Sequence, residues 1–116
     1  MTIEFHARDG AEIARLPGQL VLANAGAVRA ELQARIASGA SRLVLDLGGV
    51  EFADSSGLSA ILACVNAARR QGGDVALLGP MPRVRALIEL TRLDDVVVVT
   101  DDESVAVASA TGRVAA

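Results

Sequence analysis

Large aromatic residues are almost missing from this chain: it has no tryptophan and no tyrosine, and Phe5 and Phe52 are its only phenylalanines. Two isolated rings cannot build stacking platforms for bases or sugars, which argues against a nucleic-acid binder. A basic surplus is missing too. The formal net charge is −3 and the pI is near 5.0, the wrong sign for gripping a phosphate backbone or an anionic membrane. Cysteine occurs once, at Cys64, which permits no intramolecular disulfide and no multi-thiolate zinc site and suits a reducing compartment. No window reaches the roughly 18 apolar residues of a membrane span, and MTIEFHARDG shows no basic segment followed by an apolar run. A cytoplasmic protein without membrane insertion is therefore expected. GxxxxGK[ST], GxGxxG after a strand, HExxH and CxxC are all absent, so neither a cofactor nor a metal is expected.

What is present suits a folded core. Of 116 residues, 52% are hydrophobic and 22% charged, with only 3 prolines and no linker-like stretch, so one domain over residues 1–116 is expected, fraying at 111–116. Ile3 to Ala7 and Ala11 to Leu16 flank Asp9-Gly10, a strong hairpin signal. Asn24 is read as the cap of a helix with apolar positions Ala25, Val28, Leu32 and Ile36, ended by Gly39. Arg42 to Leu47 reads as a strand buried on both faces. A second helix follows, with Leu58, Ile61, Leu62, Val65 and Ala68 on one stripe, and ends at Gly72-Gly73. Asp74 to Gly79 is another buried strand, and Pro82 opens a helix carrying Val84, Leu87, Ile88 and Thr91. Val96 to Val99 reads as a strand, and Thr100 with Glu103 as the capping box of a last helix through about Ala110. Alternating strands and helices after a hairpin imply an α/β fold: a mostly parallel sheet of about five strands with an antiparallel edge, and about four helices.

Chemistry concentrates in one place. His6, the only histidine, falls in the first strand and reads as a surface or packing residue; Cys64 falls among helical alanines and reads as a small buried hydrophobe. The segment Val50-Glu51-Phe52-Ala53-Asp54-Ser55-Ser56-Gly57-Leu58 joins a strand's carboxyl end to a helix N-terminus, where unpaired N–H groups favour negative charge. Two readings stand. Asp54 or Ser55 simply caps the helix, or Ser55 accepts a phosphate that alters a docking surface. Asp46, in the preceding strand, is placed to orient donors of the loop backbone. Arg83, Arg85 and Arg92 form either a solvated helix face or a surface for an acidic partner.

The string RLVLDLGGVEFADSSGLSAIL, together with Gly18, Leu20, Gly72-Gly73 and GPMPRVRALIELTRLDDVVVV, resembles the STAS domain family, in particular its stand-alone anti-anti-sigma factors. The resemblance implies a STAS-like α/β fold and a non-enzymatic role as an anti-sigma factor antagonist. It maps the phosphorylated hydroxyl to Ser55, with Ser56 as the neighbouring alternative. It also implies a partner-binding set of Asp54, Ser55, Ser56, Gly57, Leu58 and Ser59, supported by Asp46 and Asn24. The implied partners are an anti-sigma factor that is itself an ATP-dependent serine kinase and a phosphoserine phosphatase. At one position the chain departs from the family pattern: Gly18-Gln19-Leu20 is followed by Val21, where an acidic residue is usual. Val21 keeps open a constitutive subunit of a larger assembly, such as a lipid-asymmetry ABC transporter. A nucleotide or small-ligand sensor is the third and weakest possibility.

Overall fold

The computed structural model describes residues 2–112. Strands β1 (Glu4–Arg8) and β2 (Ala11–Arg15) pair antiparallel across a two-residue turn. Asp9 and Gly10 both take positive φ there, 50° and 88°, the backbone of the tight hairpin turn that Asp-Gly favours. The chain continues through β3 (Gln19–Leu20), α1 (Leu22–Ala37), β4 (Arg42–Asp46), β5 (Phe52–Ala53), α2 (Ser55–Arg70), β6 (Asp74–Leu78) and α3 (Pro82–Leu90). A 3-10 turn at Leu93–Asp95, β7 (Val98–Thr100) and α4 (Glu103–Thr111) complete it. The main sheet runs β1-β2-β4-β6-β7, parallel everywhere but at the hairpin, as the alternation of elements predicts.

Alternation along β4 and β6 divides the core between the two faces of this sheet. Leu43, Leu45, Val75 and Leu77 face α1, α2 and α3, and their cluster includes Val28, Leu32, Ile36, Ile61, Val65, Val84 and Ile88. Val44, Ala76 and Leu78 point the other way, with Ala11 and Ile13 of β2, and α4 covers them with Ala106, Val107 and Ala110. In α1 the four expected apolar positions Ala25, Val28, Leu32 and Ile36 are the buried ones.

Five local expectations need correction. Asn24 does not cap α1: the cap position is Val21, and Asn24 stands at the third helical residue, where its Oδ1 accepts from the Val21 N–H at 2.9 Å. The cap of α4 is Asp102 rather than Thr100, because the Asp102 carboxylate reaches the Ser104 and Val105 N–H groups, while Thr100 Oγ1 accepts from the Asp102 N–H. The valine run enters the sheet late, from Val98 to Thr100, since the 3-10 turn consumes the chain up to Val96 and Val97 packs into the core. Leu62 lies outside the buried stripe of α2 at 38% exposure, and Thr91 is an exposed cap whose hydroxyl donates to the Leu87 carbonyl. At the chain's end, Thr111 closes α4 and Gly112 caps it in the left-handed conformation; residues 113–116 lie outside the described residues.

Candidate functional site

The site is built by a second, very short sheet. β3 and β5 pair parallel, Gln19 with Phe52 and Leu20 with Ala53, and the Glu51 and Asp54 N–H groups donate to the Gly18 and Leu20 carbonyls at 2.8 and 3.2 Å. Each of these strands leads within two residues into a helix, so the ladder brings the first turns of α1 and α2 side by side. Gly57 makes the closeness possible: a Cβ there would lie 2.1 Å from the Leu20 carbonyl oxygen. Upstream, Asp46 Oδ1 accepts from the Gly48 N–H at 2.9 Å and holds the turn that leaves β4.

Asp54 is the electrostatic centre of this arrangement. Its Oδ1 accepts from the Ser56 and Gly57 N–H groups at 2.9 and 3.2 Å, the usual cap of its own helix. Its Oδ2 accepts from the Leu22 N–H at 3.0 Å, in the first turn of the other helix. Val21, at the cap position of α1, has no side-chain acceptor, so one carboxylate serves both helix starts. The Leu22 N–H, then the Gly57 and Ser56 N–H groups and the Ser56 hydroxyl, hold the Asp54 carboxyl below its ordinary range against the opposing cost of burial.

The two hydroxyls of the segment differ. Ser56 is half-buried and hydrogen-bonded to Asp54, whereas Ser55, the first residue of α2, is exposed and its hydroxyl has no partner among the described residues. Ser59 is exposed one turn on, and Gly57 and Leu58 are buried. Ser55, Ser59 and Leu62 line one wall of a groove of about 240 Å³ whose other wall is Thr91, Arg92, Leu93 and Val96. A second groove of about 350 Å³ lies between Phe52 and Met81, with the Arg83 guanidinium 5.1 Å over the Phe52 ring. Arg85 pairs with Asp101 at 2.6 Å and Arg92 with Asp95 at 2.9 Å, so two of the three helix arginines have acids within the chain. A larger cavity, about 610 Å³, lies between the hairpin and the end of α1, where Arg35 pairs with Glu12, and holds none of the site residues. His6 is exposed on β1, and burial pushes the Cys64 thiol up to about 11. No helix among the described residues is long and apolar enough to cross a membrane.

A family model for the STAS domain matches residues 2–107 of a chain with this fold and this strand-loop-helix site. The chain belongs to the STAS domain family. BtrV of Bordetella bronchiseptica, provisionally named an anti-sigma factor antagonist, is 37% identical over 83 residues, 72% of each chain. The anti-sigma F factor antagonist of Paenibacillus polymyxa is 30% identical over 104 residues, 89% of each chain. A crystal structure from Thermotoga maritima, provisionally described as an anti-sigma factor antagonist, superposes with a TM-score of 0.84 at 26% identity, covering 93% of both chains. SpoIIAA, solved in unphosphorylated and phosphorylated forms, shares the fold with TM-scores of 0.68 and 0.67 at 21% and 22% identity, covering 89% of this chain in each case and 91% and 95% of the SpoIIAA chains.

Sequence reasoning finds the Asp54-to-Ser59 segment but misses its partners, the Leu20 carbonyl and the Leu22 N–H. A signal was available in Gly57: a glycine inside a helix's first turn costs stability unless something approaches its α-carbon.

Proposed function

We propose that this STAS protein is an anti-sigma factor antagonist whose docking is switched by phosphorylation of Ser55. It acts as the substrate of a kinase rather than as a catalyst. The partner is an anti-sigma factor that doubles as an ATP-dependent serine kinase, and a phosphoserine phosphatase restores the free hydroxyl. The observation that carries this reading is the contrast at the start of α2: Ser55 is exposed and its hydroxyl has no partner among the described residues, while Ser56 is tied to Asp54. The names of the two relatives support the class of partner.

In the transfer, Ser55 Oγ forms a bond to the γ-phosphorus of ATP held by the partner. The bond from that phosphorus to the β–γ bridging oxygen breaks, ADP leaves, and the hydroxyl proton passes to a base of the kinase. The unmodified surface offers hydroxyls to a partner, with apolar Leu62 and Val96 on the two facing walls of the groove. A phosphoserine adds about −1.5 to −2 charges beside the Asp54 carboxylate, and desolvating that charge opposes the same contact. About 1.4 kcal/mol separates each tenfold in affinity, so a modest penalty makes a working switch.

The test is phosphopeptide mass spectrometry on protein recovered from its native cells with phosphatases inhibited, paired with binding titrations. A single phosphate on Ser55 is expected, lost in Ser55→Ala, and Ser55→Glu weakens partner binding several-fold. A phosphate retained in Ser55→Ala moves the acceptor to Ser56 or elsewhere in the chain. Its absence under all growth and stress conditions favours a constitutive STAS subunit instead.

A further inference from the structure

Leu22, the first residue of α1, depends on a single distant group. Its N–H donates to Asp54 Oδ2 at 3.0 Å, across 32 positions of sequence, and Val21 at the cap position supplies no side-chain acceptor. Val21 occupies the cap position in extended geometry, φ −130° and ψ 173°, the backbone a serine or aspartate cap adopts, yet carries only methyl groups. The same carboxylate also holds the Ser56 and Gly57 N–H groups. Ser55, one residue beyond Asp54, is exposed.

We infer that Asp54 couples the two helix starts, so that a phosphate on Ser55 releases the first turn of α1. This rests on Ser55 being the modified residue. A phosphoryl dianion at the first position of α2 repels the neighbouring carboxylate. Asp54 then has two kinds of donor: the Ser56 and Gly57 N–H groups of its own turn, fixed by the chain, and the Leu22 N–H, fixed only by the meeting of two segments. The contact between segments is the one that gives way. Among the described residues no arginine pairs with Asp54, and Arg92, across the groove from Ser55, already pairs with Asp95. The Leu22 side chain is 76% exposed and rides on this turn, so phosphorylation also changes an apolar feature that a partner meets.

The experiment is amide hydrogen exchange by NMR on the full chain carrying phosphoserine installed at position 55 during translation, with no partner present. Relative to unmodified protein, the Leu22 N–H loses roughly three- to tenfold in protection, the scale of a lost helix cap, while Ile88 in α3 is unchanged. Val21→Asp gives the first turn of α1 a cap of its own at the Ala23 and Asn24 N–H groups, holding that turn independently of Asp54, and diminishes the response; Val21→Ser serves if the aspartate variant does not fold. Equal Leu22 protection in both forms overturns the inference, as does an undiminished response in the variant that folds. Because the phosphate is installed rather than transferred, failure to find a kinase in cells leaves this result untouched. An unresponsive Leu22, conversely, leaves partner switching standing.

Discussion

The starts of α2 and α4 use one device and differ in what surrounds it. In α2 the order is Asp54-Ser55-Ser56-Gly57, in α4 Asp102-Glu103-Ser104-Val105. Each aspartate takes the N–H groups two and three residues on and a hydroxyl from the serine between, and each is held below the ordinary carboxylate range. At the first helical position, however, α4 carries a fixed acid, Glu103, paired with Arg8 of the hairpin, whereas α2 carries the uncharged hydroxyl of Ser55. The third position is exposed Val105 in α4 and Gly57, pressed against the Leu20 carbonyl, in α2. A negative charge at the head of α4 is thus neutralised inside the chain, while one arriving at the head of α2 finds a carboxylate already committed to a neighbouring helix. The same cap stands beside an internal salt bridge in one helix and is joined to a second helix start in the other.

The largest break in this comparison is expected at the third position. Gly57→Ala improves intrinsic helix propensity by about 1 kcal/mol, yet drives a methyl into a backbone carbonyl, so a net loss of about 2 kcal/mol or more is expected in urea unfolding. Val105→Ala on the same measurement stays within about 0.5 kcal/mol. Similar losses for the two would mean that the close approach at Gly57 is not needed. Next come the caps themselves. Asp54→Ala should lower the melting temperature more than Asp102→Ala, since it uncaps two helices rather than one; a reversed order would refute the double role.

Acid sharpens the comparison further. A carboxyl whose native pKa is lowered stabilises the fold above its unfolded value, about 4, and that contribution is lost as pH falls through the lowered native value. The melting temperatures of the wild-type and Asp54→Asn proteins should therefore be well separated at neutral pH and converge below about pH 4. A gap that persists into strong acid would mean the loss comes from packing, not from charge. The smallest effect is expected from Arg8→Ala, which leaves Glu103 beside Asp102 without its cation. Only the first turn of α4 should loosen, seen as faster exchange of the Ser104 and Val105 N–H groups, with the global unfolding midpoint nearly unmoved; a large midpoint shift would show that the pair holds the hairpin to α4.

Features decided by neighbours in sequence were legible in it. Asp9-Gly10 marked the hairpin because positive φ at both turn positions is a local demand. The four buried positions of α1 followed from helical period alone. What escaped was set by contacts across the fold. The start of α1 was placed late because its cap comes from Asp54 rather than from a residue beside it. β3 and β5, two residues each, carry no periodic pattern and exist because two helices must begin side by side. Within Val96 to Val99, four identical side chains offered nothing by which to choose the strand's register, and the preceding turn, entered through Arg92 at φ 59°, made the choice. The site segment was readable by its hydroxyls and its aspartate, but the difference between Ser55 and Ser56 needed coordinates.

One consequence of the layering concerns synthesis. The parallel strands and the Ser55 loop are all encoded before residue 101, yet Ile13, Val44, Ala76 and Leu78 receive their helix only when α4 follows. A nascent chain paused at Thr100, or a product cut there by a protease, has a complete site on one side of its sheet and a bare apolar surface on the other. Such a fragment presents to chaperones the apolar surface that α4 covers, so the last helix completes the fold on the face of the sheet away from α1 and α2.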